Sequence, residues 1–156
     1  MDNKLLITNS QIVFSFRRNL DIRKKVFDYE DALQSEFKVP FKSIAIPDEL
    51  DAHIPRFEAQ SQKGYSRLQV SQNSVLFATR YDQAFASDFE KIRNYIKNKS
   101  ELIFQLTQQE DMNFVGYVLE LSVYMEESKI IPYLREHTGA LALRDDSKAF
   151  ALAYSK

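Results

Sequence analysis

The amino-acid sequence predicts a single α+β domain: a mainly antiparallel sheet of roughly five to seven strands, covered on one face by two longer helices. Three observations carry this reading. Several short runs alternate apolar and polar residues with a period of two, as half-buried strands do. Two longer segments place apolar residues every three to four positions, the spacing of an amphipathic helix. The runs are separated by clusters of turn-forming residues, and at 156 residues the chain has the size of one ordinary domain.

Taken in order, Gln11 to Arg17 places Ile12, Phe14 and Phe16 on one face and Val13, Ser15 and Arg17 on the other, a strand. From Asp21 the period changes. Ile22, Val26, Tyr29, Leu33 and Phe37 form one stripe, with Asn19 or Asp21 as N-cap and an end before Pro40, giving a helix of about 16 residues. Phe41 to Ile46 is a short apolar segment closed by Pro47, an expected edge strand, and Asp48 to His53 reads as a loop or one helical turn.

The stretch Ile54 to Ile96 organises the rest. Ile54 to Gln60, Tyr65 to Val70 and Val75 to Tyr81 are three strands of a meander. Gly64 suits the positive φ of the first turn, and Asn73 suits a left-handed position in the second. Val75, Phe77, Thr79 and Tyr81 share one face of the third strand, and Leu76, Ala78 and Arg80 the other. Ser87 to Glu90 reads as a capping box opening a helix striped by Phe85, Phe89, Ile92, Ile96, Ile103 and Leu106. Lys99 interrupts that stripe, so a bend or break is expected at Asn98 to Ser100.

Asn113 to Met125 returns to a period of two and is expected to be the longest strand and a central one. Pro132 and Gly139 bracket a two-turn helix from Ile131 to Thr138. Ala140 to Arg144 and Lys148 to Tyr154 flank Asp145, Asp146 and Ser147 as a last hairpin. A strand ending so near Lys156 either pairs internally or marks a piece of a longer chain.

A formal charge of -1 and a pI near 6.1 supply no overall basic field, which disfavours a nucleic-acid binder driven by phosphate neutralisation. The chain has no cysteine, hence no disulfide framework, thiolate metal site or thiol nucleophile. It opens without a secretory signal pattern and contains no apolar run of the ~20 residues that cross a bilayer, so a cytoplasmic protein with no membrane partner is expected.

Arg56, Phe57, Gly64, Leu68 to Val70, Asn73, Val75, Leu76, Arg80, Tyr81, Phe89 and Ile92, in that order, resemble the pattern of a sporadically distributed, functionally uncharacterised bacterial family. The strands near Gln11 to Val13 and Val115 to Tyr117 fall where that family has strands. More coarsely, a small antiparallel sheet followed by a long helix is similar to the SecB-type export chaperones, which implies a cytoplasmic oligomer that holds unfolded chains.

Chemistry-bearing motifs are sparse. His53 and His137 stand in neither an HExxH nor a His-Asp-Ser arrangement, and no GxGxxG or GxxxxGK occurs, so no metal or cofactor is expected and an enzyme is disfavoured. Asp51, His53 and Arg56 form one polar cluster that supports an alternative reading as a small enzyme or ligand binder. Arg17, Arg18, Arg23, Lys24 and Lys25 form the densest basic group and support a third reading, nucleic-acid binding. The favoured expectation is a protein-interaction module, either an oligomer or a holder of extended chain. Its contact surface is the sheet face opposite the helices, with Val13, Leu76, Phe114, Val118 and Tyr124 as binding residues.

Overall fold

The computed structural model describes residues 4–38, 40–124, 129 and 132. The chain divides into two compact units, Leu6–Ser122 and a second made of Met1–Leu5 with Val123–Lys156. The side-chain geometry below belongs to the first. The expected helix from Ile131 to Thr138, the hairpin after Ala140, and with them His137, Asp145 and Asp146, lie outside the described residues.

A six-stranded antiparallel sheet carries helices on one face. Its strands are β1 (Lys4–Phe16), β2 (Lys42–Ser43), β3 (Pro55–Gln60), β4 (Ser66–Ser71), β5 (Ser74–Arg80) and β6 (Met112–Tyr124), in the spatial order β2-β3-β4-β5-β1-β6. The register stacks apolar residues across neighbours: Phe57 faces Val70, Leu68 faces Phe77, and Phe77 in turn faces Ile12. These side chains, with Phe14, Phe16 and Val75, form the sheet's half of the core. The helices α1 (Val26–Leu33) and α3 (Phe89–Thr107) supply the other half through Tyr29, Leu33 and Ile103. Gly64 has φ 73, the left-handed turn that its lack of a Cβ permits.

Several local expectations are corrected. The first helix starts as a 3₁₀ turn over Ile22–Lys25 and continues as α-helix only to Leu33. Asn19 accepts from the Asp21 amide instead of capping that turn, and Asp21 makes no side-chain cap bond. Asn73 has negative φ like every other described non-glycine residue; its turn is held by the Ser71 hydroxyl, which donates to the Asn73 side chain at 2.9 Å. Ser87 does not cap the long helix. A one-turn helix, α2 (Gln83–Ala86), intervenes with Asp82 as its cap, and Asp88 caps α3 by accepting from the Lys91 amide at 3.0 Å. Helix α3 then runs unbroken through Asn98 to Ser100, and Phe89 lies on its exposed side. The largest correction concerns β6, which among the described residues is an edge strand and not a central one.

Candidate functional site

The two edges of the sheet are unequal. At one end β2 is two exposed residues, Lys42 and Ser43. At the other, β6 presents a 13-residue strand whose large apolar side chains are exposed on both faces. Side-chain contacts assign those faces. Ser10 points into the helix side, where its hydroxyl meets that of Tyr81 at 2.6 Å, so Asn9 points to the opposite side. Asn9 donates to the Glu120 carboxylate. Glu120 therefore shares the outer face with Phe114, Gly116 and Val118, leaving Val115, Tyr117, Leu119 and Leu121 on the helix side.

On the outer face, Val13 and Leu76 are direct cross-strand partners and both are half-buried. Phe114 and Val118 on the same face are 57% and 54% exposed. The sheet thus gathers four of the five residues singled out from the sequence on one side; the side chain of Tyr124 lies outside the described residues.

The helix side holds what the sequence reading missed. Tyr117 and Leu119 point to the side on which α3 packs, yet they remain 54% and 47% exposed. The result is an apolar groove of about 490 Å³, with Ile7, Tyr117 and Leu119 as its floor and Phe89, Ile92 and Ile96 of α3 as its wall. Arg93 and Glu90 stand at its rim, paired with each other. A further concavity of about 370 Å³ shares Arg93, Ile96 and Tyr117 and extends the groove along α3 to Ser100 and Glu101. The available signal was Phe89 and Phe104, apolar residues on an α3 face that the core does not use.

Two polar clusters lie elsewhere. Arg56 is fully buried, and its guanidinium donates to the carbonyl oxygens of Ile54 at 2.6 Å and of Leu50 and Asp51 at 3.3 Å. Arg23 joins it at the Asp48 carboxylate, 2.9 Å away, and hydrogen bonds and charge, from Arg23 first and then Arg56, hold Asp48 below its ordinary value. His53 is exposed and within hydrogen-bond distance of the Asn73 amide, while the Asp51 carboxylate accepts from the His53 backbone. The three residues are neighbours, but Arg56 spends its donors on loop carbonyls and shapes the loop instead of facing a ligand.

The second cluster was invisible in the sequence. Tyr95 and Lys99, one turn apart on α3, both reach Glu36: the phenol donates at 3.0 Å and the ammonium lies at 3.1 Å. Ser66 and Thr79 hydroxyls complete the bonding of Tyr95 at 3.1 and 3.3 Å, beside a cleft of about 170 Å³ lined by Tyr65, Tyr81 and Phe85. Burial pushes the Glu36 carboxyl up, but hydrogen bonds from Ser66, Lys99 and Tyr95 and the Lys99 charge outweigh it and hold the group below its ordinary value. Burial pushes the Tyr95 phenol up, so it stays protonated and donates. These groups satisfy one another, and the cluster pins α3 to the sheet and to the segment after α1.

The five basic residues from Arg17 to Lys25 are also engaged internally. Arg17 pairs with Asp111, Arg23 with Asp48, Lys24 with Asp21 and Lys25 with Glu110, while Arg18 donates to Gln72 and to the Asp48 and Leu50 carbonyls. Compared with known protein families, curated proteins and solved structures, the chain matches none. Among the described residues no group of three or more His, Cys, Asp or Glu side chains could hold a metal, and no helix is long and apolar enough to cross a membrane.

Proposed function

We propose that the protein is a polypeptide-interaction or oligomerising module that works in the cytoplasm through β6, adding another chain's backbone to the open edge and holding its side chains against β6 and the α3 groove. The observation that carries this reading is the 13-residue strand that, among the described residues, ends the sheet with apolar side chains exposed on both faces. An exposed strand edge is a row of unpaired amides and carbonyls, the template used in strand addition, and alternate side chains then find pockets on either face. The coarse resemblance to SecB-type chaperones points to extended, unfolded chains as one such ligand.

Hydrogen exchange tests the reading. With a permanently unfolded polypeptide added, or with the protein at high concentration, the amides of β6 are expected to slow while those of the exposed Asp51–Ile54 turn do not. A Val118→Lys substitution is expected to weaken the protection about tenfold, since the lysine must be desolvated on docking. Unchanged exchange at β6 under both conditions overturns the reading.

A further inference from the structure

We propose that the natural occupant of the β6 edge is a second copy of the chain, paired antiparallel with β6 of the first about a twofold axis at Val118. This rests on the reading of β6 as a polypeptide-contact strand and commits it to one partner and one register.

The inequality of the edges selects like-with-like pairing. Head-to-tail growth needs a usable second edge, and β2 offers only Lys42 and Ser43. Joining β6 to β6 uses the same patch on both copies and closes at two, giving one continuous sheet. The exposed area is of the right order. A half-exposed aromatic such as Phe114 or Tyr117 offers on the order of 100 Å². With Val115, Val118, Leu119 and Leu121 the strand reaches the several hundred Å² at which a patch stops being ordinary surface.

The sequence of β6 fits this pairing in one register. The midpoint of Met112–Tyr124 is Val118, so an axis there pairs the strand along its whole length. Val115 of one copy then lies opposite Leu121 of the other, Tyr117 opposite Leu119, and Val118 opposite itself. Glu120, the one charged residue of the strand, lies opposite Gly116, which keeps the two carboxylates about 13 Å apart along the strands. Gly116 itself is an independent pointer. Its φ is not positive, and a Cβ built there would meet only the Phe114 ring, at an ordinary 3.5 Å. Nothing among the described residues requires glycine there, and the close approach of another backbone is one reason for a glycine inside a strand.

The chain has no cysteine, so single replacements report on the register directly. Light scattering is expected to show a concentration-dependent dimer. Under mild oxidation Val118→Cys is expected to give a disulfide-linked dimer, because residues directly opposite have Cα atoms about 4.5–5.5 Å apart. Phe114→Cys is expected to remain uncrosslinked, its counterpart being about 27 Å away along the strand. Gly116→Glu is expected to raise the dimer dissociation constant several-fold through two like-charge contacts, and Gly116→Lys to lower it by a similar factor. A unique crosslink at 118 with opposite effects of the two charges supports the pairing. A dimer that crosslinks at 114 as readily as at 118, or that responds alike to both charges, overturns it. A protein that stays monomeric at its highest soluble concentration yet slows exchange at β6 on an unfolded polypeptide overturns the second copy and leaves the broader reading standing. A monomer with no such protection removes both.

Discussion

Strands β5 and β6 both carry apolar side chains on their two alternating faces, yet they meet different surroundings. In β5, Val75, Phe77 and Thr79 are buried beneath the helices and the strand is flanked by β4 and β1. In β6, Tyr117 and Leu119 point to the same side and remain about half exposed, and among the described residues the strand has one neighbour instead of two. Periodicity specifies which side chains share a face. Whether that face is covered depends on strand order and on the reach of a helix, both set by distant parts of the chain.

The contrast is sharpest in substitutions measured on dilute protein, where single copies prevail. Phe77→Ala empties a fully enclosed site and is expected to cost about 3–5 kcal/mol in urea unfolding, against about 0.5 kcal/mol or less for Leu119→Ala. Comparable costs would mean that β6 is covered within the protomer. Raising the protein concentration should increase the cost of Leu119→Ala and leave that of Phe77→Ala unchanged.

Arg56→Met extends the comparison to polar burial. It strips donors from the Ile54, Leu50 and Asp51 carbonyls and is expected to cost about 2–4 kcal/mol, whereas Arg67→Met, which breaks the partly exposed pair with Glu58, should cost under about 1 kcal/mol. Equal effects would show that the Arg56 bonds do not organise the loop.

Glu36 makes the pH dependence specific. Its folded value lies below its ordinary value of 4.5, so its carboxylate contributes stability that is fully present above that value and is lost as pH falls through the folded value. Glu36→Gln should therefore flatten the stability curve below about pH 4.5 and change its slope little near neutrality. A slope unchanged in acid would remove the pairing with Lys99 and Tyr95 as its source.

The smallest effect belongs to Tyr29. Burial pushes its phenol up, and among the described residues its buried hydroxyl has no hydrogen-bond partner. Tyr29→Phe removes an unsatisfied polar atom and keeps the ring packed edge-on to Phe57, so thermal unfolding is expected to be unchanged or raised by up to about 1 kcal/mol. A clear loss would reveal a partner for the hydroxyl.

The legible parts of this fold are those decided locally. Gly64 announced a turn because glycine is free to take positive φ, and the alternating faces of β5 followed from pleat geometry. The misread parts depend on distance. Lys99 suggested a break in α3, but its ammonium is answered by Glu36, far back in the chain, so the helix continues. Ser87 and Asp88 are both good caps, and the choice went to Asp88 once α2, capped by Asp82, had taken the preceding turn. Arg56 read as part of a ligand-facing polar cluster with Asp51 and His53 because no local pattern reveals that a loop will wrap its guanidinium. At the candidate site, Phe114 and Val118 were recognised as outward-facing from their period, whereas the exposure of Tyr117 and Leu119 required knowing that β6 ends the sheet.

The position of β1 bears on how the sheet can be made. It is the first strand in the chain but lies inside the sheet, between β5 and β6. During synthesis the meander β3–β4–β5 can close on its own through short turns, while β1 has no partner until Ser74–Arg80 has emerged, and its second partner arrives only with Met112–Tyr124. The earliest made of these six strands is thus among the last of them to be fully paired. A nascent chain stalled before residue 112 would carry β1 as a temporary edge, with Ile12 and Phe14 already packed on β5 and one side of its backbone still open.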